Sequence, residues 1–190
     1  MSDAPFGFAS SLPNTLETVW LLLARGVADR RAPERHPTLA TIGIDHTPKV
    51  RTVVLRAADR ASATLDIHTD LRSSKIAEIE ANPSCGLHIW NPKQKLQMRL
   101  AAEANILTGE AVGTFWDRVP DGSRRAYGGD PAPGSPIASP EEFVPSAEFD
   151  RFAVLRLQLL EIETLCLAPD RHYRAVFRRG QDWAGQWLAP

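Results

Sequence analysis

"VRTVVLRAADRASATLDIHTDLRSSKIAEIEANP", residues 50–83, changes its hydrophobic period part-way along. The β-branched runs "VRTVVLR" (50–56) and "TLDIH" (64–68) have the period of two that a strand needs, with turn-forming residues between them. From 73 to 81 the period becomes helical through Ile76 and Ile79. Asn82-Pro83 then ends the helix, because a residue before proline resists the α region. Two strands and a helix are therefore predicted, with Arg72, Ser73, Ser74 and Lys75 crowded at the helix start.

Upstream, Leu12, Leu16, Val19, Trp20, Leu23 and Val27 share one face at helical spacing, and Asn14 with Glu17 reads as a capping box. A basic turn, "DRRAPERHP", leads into the strand "TLATIGI". Downstream, "SCGLHIW" and "KLQMRLAAEANIL" read as strands, "TGEAVGTFWDRV" as a short helix, and "FAVLRLQLLEIETLCLA", "HYRAVFRR" and "DWAGQWLAP" as three more strands. Six of the 15 prolines and four of the 12 glycines fall within residues 120–149, which reads as a flexible, structureless loop, either functional or inert. The fold class is mainly β with short α-helices. Six to eight strands point to an antiparallel barrel closed against exposed edges, a single domain over 1–190.

Composition narrows the functional classes. The 22 Lys and Arg nearly balance 23 Asp and Glu, so no bulk field draws in nucleic acid or an anionic membrane. A nucleic-acid-binding barrel would need a continuous basic groove with stacking aromatics. There is no apolar run of membrane-span length and no secretion signal, so a cytoplasmic protein is expected. Cys85 and Cys166 have no CxxC partner, and Cys166 reads as a buried structural thiol. The five histidines show no metal-ligand spacing, so no metal is expected.

The helix start at 73–75 is where an anion would sit. Unpaired N–H groups and a partial positive charge collect there, and Ser73, Ser74 and Lys75, with Arg72 before them, make either a phosphate cradle or an ordinary cap. Arg51 shares a strand face with Val53 and Leu55. A charge on an inward face is costly unless paired, so either an anionic ligand completes its surroundings or it caps the barrel rim.

"VRTVVLR", "LDIHTDLRSSKIAEIEANP", "LQMRL" and a terminal Trp and "LAP" occur in an order and spacing that resemble the pyridoxamine 5'-phosphate oxidase-like family. The resemblance runs from the Trp20 helix to Pro190. It implies a split β-barrel homodimer with FMN at the subunit interface. It makes Arg51, Thr52, Val53, Val54, Leu55 and Arg56 the strand beside the flavin, and places His68, Thr69, Ser73, Ser74 and Lys75 near its phosphate. Arg72 would supply the charge of an arginine that Ser74 replaces. Gln97 would contact the cofactor, and Trp183 and Arg174 would reach it from the second subunit. The five tryptophans fit an interface or a core equally.

Departures bear on substrate. The vitamin oxidase holds its substrate phosphate with Tyr, Arg and Ser, where this chain has Phe115, Val119 and Ser123; Arg118, Arg124 or Arg125 would substitute only after a shift. Its Arg-x-His motif is absent, since Arg171 and His172 are adjacent. The sequence is therefore more similar to the family's uncharacterised FMN-binding branch. The expected activity is oxidation or reduction of a small molecule by FMN, with a non-enzymatic flavin or haem carrier as the alternative and the vitamin oxidase itself third. Arg56 would either stabilise charge on reduced flavin or face solvent, and no catalytic residue is assigned.

Overall fold

The computed structural model describes residues 6–190, so the first five residues of the expected 1–190 domain lie outside the described part. Helix α1 (Leu12–Ala28) buries Val19, Trp20 and Leu23, as its periodicity predicts. Its cap is Ser11, whose hydroxyl accepts the Asn14 N–H at 3.5 Å, and not the expected Asn14–Glu17 box. Pro13 in the first turn favours this earlier start, and Glu17 instead pairs with Arg60.

Eleven strands and three further helices follow among the described residues: β1 (Thr38–Ile42), β2 (Pro48–Thr52), β3 (Leu55–Asp59), β4 (Thr64–Asp70), α2 (Ser74–Ala81), β5 (Ser84–Asn91), β6 (Leu96–Leu107), α3 (Gly113–Arg118), α4 (Asp121–Arg124), β7 (Gly128–Asp130), β8 (Val144–Ala147), β9 (Phe152–Leu167), β10 (His172–Arg178) and β11 (Gly185–Leu188). Nine strands form one antiparallel sheet. The expected six to eight fall short because "VRTVVLR" is two strands. At Val53 and Val54 the chain leaves β1, its partner through β2, and joins β4 through β3. The Val53 N–H donates to the Pro37 carbonyl at 2.9 Å and fixes the crossing.

The long strand β9 organises the rest. Its first half pairs with β4, its second half with β10, and most of its length with β6 on the other side. Between the halves the register shifts where Ala101 and Ala102 of β6 face Glu161 and Leu159, leaving Leu160 unpaired. Such a bulge bends a strand and sharpens its twist, and here it lets one strand serve both parts of the sheet. The expected removal of edges by closure does not occur within the chain: β2, β3 and β11 each have one neighbour. The architecture is a split antiparallel barrel.

Leu39, Leu55, Leu65, Ile67, Leu100 and Leu157 fill the barrel and are inaccessible or nearly so. The segment 120–149 is not structureless. It contains α4 and a two-stranded sheet of β7 and β8, and with its neighbours it builds a second small core in which Val119 and Tyr127 meet Val112, Phe152 and Val154. Aromatic side chains spaced through a Pro- and Gly-rich run are enough for this, because Phe152 and Val154 arrive from β9.

Leu157 stands between Leu65 and Ala104 and is wholly inaccessible. Leu157→Ala should cost about 2–5 kcal/mol, read as a lower urea midpoint at unchanged slope. An unchanged midpoint would mean that β9 is not the centre of the core.

Candidate functional site

The end of β4 and the start of α2 bring three side chains together at the Thr69 hydroxyl. Ser73 Oγ lies 3.0 Å from Thr69 Oγ1, and Lys75 Nζ donates to Thr69 Oγ1 at 3.0 Å. Ser73 occupies the N-cap position but makes no side-chain bond to the helix N–H groups, so these are not consumed by the cap. Ser74 is exposed on the first turn. The Lys75 ammonium is held below its usual range, first by burial and then by the charge of Arg51.

Arg51 lies across from Leu39 on the inward face, as its spacing predicts. Its partner comes from the chain itself: Nη2 donates to Glu78 Oε2 at 2.6 Å, and the Thr41 hydroxyl donates to the same oxygen at 2.5 Å. Glu78 on α2 therefore replaces the ligand anion expected to complete Arg51. Arg72 is also committed. Its Nε and Nη2 reach the Asp70 carboxylate at 3.1 and 2.9 Å, and Nη2 also donates to the Gly129 carbonyl at 2.7 Å. The same carboxylate accepts the Gly128 N–H at 2.9 Å. Burial by itself would raise the Asp70 carboxyl, but the Arg72 hydrogen bonds and charge outweigh it and hold the group low. Arg72 thus clamps the base of the 120–149 segment and is not a free charge at the helix start. Lys75 is the cation of this cluster that forms no ion pair among the described residues.

Thr52 is exposed at the edge of β2, Val54 is half-buried, and Val53 and Leu55 are buried. Arg56 is the unpaired residue of a bulge between Leu55 and Ala57. It sits with His68 on a second cluster, because His68 and Thr69 are successive strand residues and face opposite sides of β4. The His68 ring packs edge-on against Phe152, with centroids 4.9 Å apart. Burial, followed by the charge of Arg56, pushes its pKa down to about 4. Both residues line a cavity of about 280 Å³ between the end of α1, β3, β4 and α3.

The remaining expected residues fall elsewhere in this chain. Gln97 is half-buried on β6, one position from the core residues Leu96 and Met98. Arg174 donates from Nε to Glu163 Oε1 at 3.0 Å. Trp183 lines a pocket together with Leu12 and Leu16 at the start of α1. Neither Arg174 nor Trp183 belongs to either cluster of its own chain. The sequence reading missed Thr41, Asp70, Glu78, Arg30 and Arg35. Glu78 lies one helical turn after Lys75, which hinted at a shared face, but its pairing with Arg51 spans 27 residues.

Residues 18–108 match the family model described as "Pyridoxamine 5'-phosphate oxidase, FMN-binding domain". Over those residues the chain is similar to an FMN-binding domain of the pyridoxamine 5'-phosphate oxidase type. A pyridoxamine 5'-phosphate oxidase-related, FMN-binding protein of Nostoc punctiforme superposes with a TM-score of 0.78 at 24% identity, covering 100% of both chains. PhzG of Burkholderia lata, solved with tetrahydrophenazine-1-carboxylic acid, gives 0.74 at 21% identity over 99% of this chain and 98% of its own. A pyridoxine/pyridoxamine 5'-phosphate oxidase of Thermosynechococcus vestitus is 25% identical over 80% of this chain and 62% of its own length. The donor set at the start of α2 suits a phosphate monoester: an ammonium, two hydroxyls and uncapped helix N–H groups. Among the described residues no helix is long and apolar enough to cross a membrane, and no group of three or more His, Cys, Asp or Glu is placed to hold a metal.

Two outcomes follow from these pairings. Glu78→Gln should leave Arg51 without a counter-charge and cost about 1–3 kcal/mol in urea denaturation. Unfolded His68 titrates near pH 6.5 and the folded group near 4. Between these values only the unfolded chain takes up the proton, so stability falls as pH is lowered through that window. Thermal melts from pH 7 to 4 should show a shallower decline for His68→Gln than for the wild type.

Proposed function

We propose that the protein is an FMN-dependent oxidoreductase acting on a small molecule, and that it works as a homodimer. The observation that carries the reading is the meeting of Lys75, Thr69 and Ser73 at the start of α2, with Lys75 Nζ 3.0 Å from Thr69 Oγ1 and no carboxylate of the described residues paired to it. A phosphate there would relieve the strain that burial and Arg51 place on the ammonium.

In this reading Lys75, Thr69, Ser73 and Ser74 hold the FMN phosphate. Arg51 acts beside them while tied to Glu78, and Arg72 keeps the 120–149 segment docked against the helix start. The outer edge of β2 at Thr52 and the crossing at Val53 and Val54 lie beside the isoalloxazine ring, with Leu55 packed beneath them and Arg56 and His68 at the far end of the crossing. FMN held there would supply two-electron or hydride chemistry between a small donor and oxygen or another acceptor. The chain's own residues bind, orient and exclude water, and none is assigned to proton transfer.

Support for the dimer comes from the outer face of β1, β2, β5 and β6. Val50 is 68% exposed, and Ile42 and Trp90 are exposed with it. A shallow groove of about 370 Å³ crosses this face past Ala40, His88 and Arg99. A second copy laid there would cover the apolar patch. Gln97, and Trp183 and Arg174 of the other subunit, are assigned to the flavin on the family resemblance.

Purified protein should be yellow and release FMN on heating. Lys75→Met should weaken FMN retention at least about tenfold while leaving the fold intact by circular dichroism, through loss of a charge-assisted contact. Light scattering should give twice the chain mass. A colourless protein that takes up no added FMN would overturn the cofactor assignment, and a monomer with FMN bound would overturn the dimer.

A further inference from the structure

The turn from Thr69 to Ser73 serves two parts of the molecule at once. Its ends, the buried Thr69 and Ser73, are the hydroxyls that meet at Lys75. The residues between them hold the distant segment that begins near Gly128. The Asp70 carboxylate accepts the Gly128 N–H at 2.9 Å, and Arg72 Nη2 donates to the Gly129 carbonyl at 2.7 Å. The Leu71 N–H donates to the Arg151 carbonyl at 2.7 Å, just past the segment's other end. The turn is also closed on itself. The Arg72 N–H donates to Asp70 Oδ1 at 2.8 Å, and the Ser73 N–H donates to the Asp70 carbonyl at 3.1 Å. A shift of Thr69 or Ser73 therefore carries Asp70 and Arg72 with it.

The segment has little else to hold it. Residues 128–147 comprise β7, β8 and the connection between them, and most of 131–143 is exposed. Among the described residues, two hydrogen bonds tie 128–147 to anything outside 120–151, and they are the bonds to Asp70 and from Arg72. The Arg72–Asp70 pair is shielded, with side chains 21% and 3% exposed, which strengthens its charge-assisted bonds. At Gly128 the fit is tight. Its φ is +133°, and a Cβ there would lie 2.7 Å from the Glu148 backbone nitrogen.

We propose that this turn couples the two: an anion held by Lys75, Thr69 and Ser73 tightens the docking of residues 128–147, and docking tightens the hold on the anion. Arg72 is the positioning residue, acting through Asp70 and Gly129 without touching the anion. The segment exchanges between docked and released states. An anion that fixes Thr69 and Ser73 orders the residues between them, so docking no longer has to supply that ordering. By linkage the two effects are equal in size. The inference rests on the reading of the Lys75 cluster as the FMN phosphate site, and it makes the segment loose in cofactor-free protein and closed in loaded protein.

The test is hydrogen exchange, read by mass spectrometry on peptides from 128–147. Cofactor-free protein is compared alone, with FMN and with inorganic phosphate, and FMN binding is titrated in parallel. FMN should slow exchange of the wild-type segment at least about fivefold. Arg72→Gln should exchange faster without ligand, lose that protection, and bind FMN more weakly by up to the same factor. Gly128→Ala releases the segment from its own side, alters no residue of the turn, and should have the same two effects. Protection and FMN affinity that stay unchanged in either variant would overturn the coupling, as would FMN that binds without slowing exchange. Protection by phosphate but not by FMN would overturn the flavin reading and leave the coupling standing. Binding of neither ligand would overturn both.

Discussion

The crossing at Val53 and Val54 is the constraint on which the rest depends. A continuous strand through residues 50–56 would put Arg51 and Arg56 on opposite faces of one ribbon. The Val53 N–H instead bonds to Pro37, the chain changes neighbours from β1 to β4, and a bulge follows immediately. The two arginines are thereby sent to two clusters. One faces Glu78, Thr41 and Lys75 over α2, and the other faces His68 beside α3.

Charge is distributed unevenly between these clusters, and burial explains how each is tolerated. Arg51 and Arg72 are both bound to carboxylates from their own chain, so each acts as a positioning group. Asp70 shows the economy of this arrangement: one buried carboxylate holds Arg72 and the Gly128 N–H, and so joins the helix start to the 120–149 segment. Among the described residues, Lys75 and the four arginines that line the cavity beside His68 (Arg30, Arg35, Arg56 and Arg118) lack such partners. In a near-neutral chain, attraction for an anion has to come from such locally unpaired cations, since there is no global basic field.

The strand β9 links the site to the core. Phe152 and Val154, near its start, support His68, Tyr127 and Trp116 in the smaller core, whereas Leu155 and Leu157 face the barrel. The site and the barrel therefore share one element, and the position of the His68 ring follows from the packing of a strand that begins 84 residues later in the chain. That separation is why the aromatics of a Pro-rich segment looked unsupported when read along the sequence alone.

Local rules made much of this protein legible. The period of two and of 3.6, Pro83 after α2, and the serines and lysine at the helix start depend only on neighbouring residues, and they fixed the mainly β class, most element positions and the Lys75 cluster. Where the chain turned on long-range contacts the sequence was silent. The pairing of Arg51 with Glu78, of Arg72 with Asp70 and Gly129, and the gathering of Arg30, Arg35, Arg56 and Arg118 join residues far apart in sequence. Only the sheet's pairing order decides which charges meet a partner and which remain open to a ligand, because the energy of a charge depends on what surrounds it in space.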